Sequence, residues 1–320
     1  MSLTNFVGVI LAAGKGTRML PLTVRWPKAV LPILGLALAR HHIETMRAVG
    51  IRKIFVVIGH LGYEVVRALG DGTALGVSLE YVEQPETLGI AHALGRLERH
   101  IHGPFLLFLG DVYFVSSELG TMMDLFARGG VAGVLASKVE ERPEMIRRNF
   151  AILAEPDGTV RRVIEKPRSV ENKLKGCGIY LFGPEVFDAI RRTPRTPMRD
   201  EYEITDSIQI LIDSGHRLLH SNVVQEDLNL TIPGDLLAVN AWELKRRGLD
   251  NLFLGDAPPD LTGRAVHGVV AGAGVTLGPG AELRNCVICD GCAIAAGACL
   301  ANAIVTPDGV VQCNPTGEDP

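Results

Sequence analysis

Apolar residues fall into two kinds of pattern along the first third of the chain. Mostly apolar, strand-like runs occur at 7–11, 54–58, 79–82 and 105–109, with Glu80 their one charged residue. The stretches between them, 37–49, 63–69 and 91–101, carry apolar residues at helical spacing. Apolar strands alternating with helices predict a mostly parallel sheet covered on both faces. Such sheets bind ligands beyond the carboxyl ends of their strands. The turn at 14–18 follows the first strand and Asp111 follows the fourth, so both are expected at one crevice. Further along, 150–154 and 159–165 flank the turn-forming Pro156-Asp157-Gly158 and predict a hairpin. Residues 177–182 predict another strand, Pro184 opens a helix, and helical patterns follow at 204–214 and 234–247.

Residues 256–260, Asp-Ala-Pro-Pro-Asp, break the pattern and predict a linker. Beyond it Val269, Val275, Ala281, Val287, Ala293, Cys299 and Val305 recur every six residues. Leu277, Leu283, Cys289, Ala295 and Ala301 keep the same step two places on. This period predicts a parallel β-helix with one short strand per face, little more than two triangular coils in all. Cys286, Cys289 and Cys292, with Cys299 beyond, have the spacing of a metal-cluster motif. The six-residue register favours small ladder residues instead, with Cys286 and Cys292 on adjacent coils and Cys289 on the inward ladder. An exposed coil edge would invite a second chain, so a homo-oligomer is expected.

Composition narrows the function classes. With 320 residues, 47% of them hydrophobic and 21% charged, the chain can bury a substantial core. Net charge is −4 and no long basic run appears, which disfavours nucleic-acid and anionic-membrane partners. No secretory signal and no apolar run of about 20 residues is visible, so a soluble, cytoplasmic protein is expected. Six cysteines in such a chain do not make a disulfide scaffold.

The candidate chemistry begins at residues 11–28, LAAGKGTRMLPLTVRWPK. In Gly14-Lys15-Gly16-Thr17, glycines let backbone N–H groups approach phosphate oxygens, and Arg18 and Lys28 add positive charge. The spacing is neither that of a P-loop nor GxGxxG, which removes the main support for a dinucleotide oxidoreductase.

Leu11-Ala12-Ala13-Gly14, Gly16-Thr17-Arg18-Met19, Pro21-Leu22-Thr23 and Pro27-Lys28 together resemble the signature of sugar-1-phosphate nucleotidylyltransferases. The resemblance runs in order to about residue 245. Glu83-Gln84-Pro85 with Leu88-Gly89-Ile90-Ala91-His92-Ala93 resembles the base-reading loop, and Leu109-Gly110-Asp111 the metal aspartate. Glu165-Lys166-Pro167 and Gly178-Ile179-Tyr180 resemble the sugar-phosphate segment, and residues 199–206, beginning at Arg199, a further block. The resemblance implies a Rossmann-like α/β fold with a mixed, mostly parallel sheet and flanking helices. A short C-terminal left-handed parallel β-helix would follow it.

The implied reaction is attack of a sugar-phosphate oxygen on the α-phosphorus of a nucleoside triphosphate, with pyrophosphate leaving. Such chemistry calls for positioning and charge neutralisation more than for a covalent nucleophile. Arg18 and Lys28 are the implied catalytic clamp, and residues 11–17, Leu11, Ala12, Ala13, Gly14, Lys15, Gly16 and Thr17, the implied nucleotide cradle. Gln84, Pro85 and Gly89 would hold the base. Gln84 has both a donor and an acceptor for the imide edge of uracil or thymine, favouring UTP or dTTP. Glu165, Lys166, Gly178, Tyr180 and Arg199 would hold the sugar phosphate. Mg²⁺ would sit on Asp111 and a second ligand.

Three positions depart from the pattern. Asn229 stands where the family commonly has its second metal aspartate, with Asp227 a possible substitute on the same side of an extended segment. Ala151 replaces a glycine, and His92 resembles uridylyltransferases more than thymidylyltransferases. Asn229 and Ala151 motivate a rival reading, a catalytically weak regulatory or NDP-sugar-sensing subunit. The expected organisation is a catalytic domain at 1–250, a linker at 251–263, the repeats at 264–312 and a tail at 313–320.

Overall fold

The computed structural model describes residues 6–170, 172–197, 200–255, 259, 261 and 265–314, and in it the four apolar runs are strands. They are β1 (Val7–Ala12), β2 (Lys53–Ile58), β3 (Ser78–Glu83) and β4 (Phe105–Leu109). All pair in parallel, in the order β4-β1-β2-β3. Helices α1 (Leu38–Ala48), α2 (Gly62–Leu69) and α3 (Ile90–Gly95) lie between them in sequence. The last is shorter than expected. After Gly95 the chain tightens into three-residue turns, with Leu97 N–H donating to Leu94 O and His100 N–H to Leu97 O.

The chain then adds β5 (Val112–Ser116), α4 (Gly120–Ala127), β6 (Gly133–Val139) and α5 (Pro143–Arg147). The expected hairpin is β7 (Phe150–Ala154) and β8 (Val160–Glu165), followed by β9 (Leu174–Phe182), α6 (Val186–Arg192), α7 (Ile204–Asp213), β10 (Leu218–Ser221) and β11 (Val224–Asn229). Strand β9 runs antiparallel to β4, β6 and β7, which makes the nine-stranded sheet mixed around its parallel centre. Its aromatic residues fill the core. The Tyr180 ring stacks between Phe150 and Phe182, with centroids 6.1 and 5.7 Å away.

Two buried polar groups stand out in this core. Lys175 of β9 and Asp227 of β11 form an ion pair of 2.7 Å, their side chains 0% and 2% exposed. His42 of α1 is fully buried, its Nε2–H donating to Val112 O at 2.8 Å, while its Nδ1 has no partner among the described residues. Burial lowers the His42 pKa to about 4, against the opposing pull of the Val112 bond. Between pH 4 and 6.5 the unfolded chain therefore binds a proton at this residue that the native state does not. Stability is expected to fall by up to about 3 kcal/mol as pH drops through that window. Urea unfolding across the window should show a shallower pH slope for His42→Gln; an unchanged slope would refute this.

Contact density divides the chain into two units, the strands above lying almost wholly in the first. That unit comprises the residues up to Lys15 together with Ala39–Asp227; the second comprises Gly16–Leu38 and the chain from Leu228 on.

In the second unit, strands Val266–Ala271, Glu282–Ile288 and Cys299–Thr306 stack in parallel. Val269, Cys286 and Ala303 lie in register, and so do Val270, Val287 and Ile304, a step of 17 residues. Three six-residue faces would step by roughly 18. The corners account for the difference. Gly268, Gly274, Gly280, Asn285, Gly291, Gly297 and Asn302 all have φ between 50° and 70°, and Asn takes this conformation at the corners that follow five-residue intervals. Asn285 and Asn302 form a side-chain hydrogen bond of 2.8 Å.

This register corrects the expected cysteine stacking. Cys286 sits between Val269 and Ala303, whereas Cys292 belongs to the same turn, because the step is 17 and not six. The edge also differs from expectation, since Cys299–Thr306 pairs antiparallel with Gly309–Gln312, a hairpin that covers the parallel stack. Residues 256–258, 260, 262 and 263 of the expected linker lie outside the described residues, as do 264 and the tail from 315.

Helix α8 (Pro233–Arg246) belongs to this unit as well. Its Asn240 accepts from Leu34 N–H at 2.8 Å and donates to Pro32 O at 3.0 Å, and its Leu244 packs with Leu34 and Val270. Arg25 pairs with Asp308 at 2.9 Å. The Gly16–Leu38 segment thus packs with the helix and the stack.

Candidate active site

The first unit brings several of the expected site residues to its strand ends. Gly110, just past β4, donates its N–H to Leu11 O at 2.9 Å. A Cβ on Gly110 would lie 2.4 Å from that oxygen, so only glycine permits the approach. Asp111, the next residue, therefore emerges beside the end of β1, half-buried. Gly59 makes a similar approach to Ala13 O. Gly14 is different: a Cβ there would meet no described atom within 4 Å. The protein's own packing does not require glycine at 14. Lys15 beside it is exposed.

The loop after β3 is built around Gln84, which is 3% exposed. Its backbone N–H donates to Ile58 O, and its side-chain Nε2 lies 2.9 Å from His92 Nδ1 and 3.5 Å from Gly89 O. Gly89 has φ 102°, and a Cβ on it would collide with the Tyr202 backbone at 2.6 Å. Tyr202 closes this loop by donating to Leu88 O and accepting from Ala91 N–H. The sequence block 199–206 showed no role for Tyr202; the positive φ of Gly89 is what its backbone accommodates. Pro85 is exposed at the loop's surface.

At the end of β8, Thr205 donates to Glu165 Oε2 at 3.4 Å, and Lys166 Nζ lies 4.0 Å from Glu165 Oε1. Lys166 takes φ 42°, a left-handed conformation unusual for lysine, with its N–H donating to Asn149 O at 2.8 Å. Two expected sugar-phosphate residues belong to the interior instead. Gly178 is buried with Leu109 against it, where a Cβ would lie 2.7 Å from Leu109 Cδ1. Tyr180 is 2% exposed within its aromatic stack, and burial, followed by the Glu165 charge, pushes its phenol well above the usual range. Its ring serves packing because the sheet interior claims it. Arg199 lies outside the described residues. Asp227, the possible substitute ligand, is committed to Lys175.

The second unit holds the other cations. Gly16 has φ 62°; its carbonyl accepts from Thr23 Oγ1 at 2.8 Å and from Met19 N–H. A Cβ on Gly16 would press on Thr23 at 2.9 Å and on the Lys28 stem at 3.2 Å. Thr17 and Arg18 are exposed on the following turn, and Lys28 is half-buried. Asn229, at the end of β11, is half-buried. Among the described residues no group of three or more His, Cys, Asp or Glu is arranged to hold a metal, the repeat cysteines included.

In the first unit a glycine-containing loop and a carboxylate follow the carboxyl ends of parallel strands, where open α/β sheets bind their ligands. Residues 7–242 match the family described as Nucleotidyl transferase, and the chain belongs to it. A glucose-1-phosphate thymidylyltransferase of Streptomyces griseus is 32% identical over 93% of this chain and 80% of its own length. A UTP–glucose-1-phosphate uridylyltransferase of Haloferax volcanii is 33% identical over 66% and 85%. A solved UDP-glucose pyrophosphorylase shares the fold with TM-score 0.66 at 23% identity, covering 76% of this chain and 99% of that one. The chain is accordingly a sugar-1-phosphate nucleotidylyltransferase, which transfers a nucleotidyl group onto a sugar 1-phosphate. No described helix is long and apolar enough to cross a membrane.

Proposed function

We propose that this enzyme joins UTP or dTTP to a hexose 1-phosphate with the help of Mg²⁺, releasing pyrophosphate. The observation that carries the reading is the Gly110–Leu11 hydrogen bond, which sets Asp111 beside a loop whose Gly14 is open to an approaching phosphate. Lys15, Gly16 and Thr17 would continue the cradle, while Arg18 and Lys28 neutralise charge gathering on the phosphates in the transition state. Glu165 would accept from a sugar hydroxyl and Lys166 would hold the sugar phosphate. The sugar-phosphate oxygen displaces pyrophosphate at the α-phosphorus, with no covalent enzyme intermediate.

The donor set fits magnesium. A carboxylate at Asp111 and an amide oxygen at Asn229 are hard oxygen ligands, and a cation with one or two protein ligands takes the rest from water and phosphate. When bound, the ion would offset triphosphate charge. Replacing Asn229 by Asp adds an anionic ligand and is expected to lower the Mg²⁺ concentration for half-maximal rate about fivefold or more. A rate titration against free Mg²⁺ checks this; an unchanged midpoint removes Asn229 from the site.

The names of the relatives place glucose 1-phosphate first among acceptors to test. Pyrophosphate release with a panel of nucleoside triphosphates and sugar 1-phosphates tests the whole reading. Binding without turnover for every pair would favour the regulatory rival, which no structural observation supports. We also propose residues 1–250 as the catalytic domain, 251–263 as a linker, and 264–312 as a short left-handed parallel β-helix. The 17-residue parallel register supports the last of these. Homo-oligomer formation stays a proposal, to be tested by light scattering.

A further inference from the structure

We infer that His92 is a positioning residue for nucleotide choice: together with Gly89 O it holds the Gln84 NH₂ group, so that the amide oxygen faces the base. The inference rests on the assignment of Gln84 as the base-reading residue. Gly89 O is only an acceptor, so the end of the Gln84 amide nearest it must be the NH₂ group. Turning the amide over would set two acceptor oxygens against each other. With the NH₂ group on that side, its contact of 2.9 Å with His92 makes Nδ1 the acceptor and places the ring proton on Nε2.

Both donor directions of the Gln84 amide are then used within the protein. Its Oε1 has no hydrogen-bond partner among the described residues, although the residue is 3% exposed. Gln84 therefore offers a base a fixed acceptor, not a choice of donor and acceptor. An imide pyrimidine presents N3–H to it, whereas cytosine, of the same size, presents the lone pair of N3. The histidine is itself held: its ring stacks on Tyr202 at 6.2 Å with 27° between planes, and Tyr202 is tied to Leu88 and Ala91.

The test compares kcat/KM for UTP, dTTP and CTP with glucose 1-phosphate in the full chain. The ratio between two nucleotides on one preparation does not depend on the fraction folded. His92→Phe keeps a ring over Tyr202 but removes the shorter of the two contacts on the NH₂ group, leaving only the 3.5 Å contact with Gly89 O, so the amide turns over more readily to present its NH₂ group to cytosine. The UTP-to-CTP ratio is expected to fall about tenfold, the scale of one neutral hydrogen bond. His92→Asn, whose Oδ1 can replace Nδ1, is expected to restore most of the ratio. A wild-type ratio in His92→Phe would overturn the positioning role while leaving the function intact. A wild-type enzyme that prefers CTP, or a Gln84→Leu variant with an unaltered ratio, would overturn the underlying base assignment.

Discussion

Replacing Lys28 by methionine is expected to lower kcat/KM by about 10²–10³ while leaving the melting temperature within a few degrees. Methionine retains the aliphatic stem that packs against Gly16, so the local turn keeps its support. What is lost is one fixed positive charge where the phosphates gather negative charge, and preorganised charges of this kind contribute on that scale. The loss should appear in kcat with all nucleotides alike, because Lys28 has no part in reading the base. Near-normal turnover would reject its role in the clamp.

The largest effect on folding is expected at Lys175. Lys175→Met leaves Asp227 buried without its cation and should destabilise the protein by about 3–5 kcal/mol. Lys175→Met with Asp227→Leu should recover most of that loss, since removing both charges also removes their desolvation cost. Burial already pushes the Asp227 carboxyl up, with Lys175 opposing. In the single variant the native state would therefore hold a proton that the unfolded chain releases, and its deficit should shrink as pH falls. Chemical denaturation at several pH values measures all three outcomes. A loss confined to turnover would instead make Asp227 part of the site.

Neither half of that ion pair was visible as such in the sequence, for a physical reason. Lysine and aspartate 52 positions apart carry no local signature, and only the antiparallel return of β9 buries Lys175. The strands β1, β2 and β4 were legible because burial on both faces leaves apolar runs, whereas the edge strand β3 shows only Leu79, Tyr81 and Val82 around an exposed Glu80. Strand β6, with Ser137 and Lys138, lacks such a run and was missed, and β11, with Gln225, Glu226 and Asp227, was read only as an extended segment around Asp227 and Asn229. Tyr180 illustrates the opposite error, since a motif names positions in a chain and not the direction in which a side chain points. The positions of Gly14, Gly110 and Asp111 were legible because they follow strand ends, which the apolar pattern marks. The six-residue apolar period beyond residue 265 pointed to short stacked strands but not to their step of 17. The six-residue count hid that every third interval is five residues long.

The shared packing of Gly16–Leu38, α8 and the parallel stack bears on inheritance. The loop carrying Arg18 and Lys28 and the last 50 or so described residues belong to one body, tied by Arg25–Asp308 and by Asn240. A lineage could not shed the repeat and keep the loop as it stands, because Leu34, Leu244 and Val270 would lose their common cover together. Substitutions in the stack and in the loop are therefore expected to co-evolve, although more than 200 residues separate them in the chain.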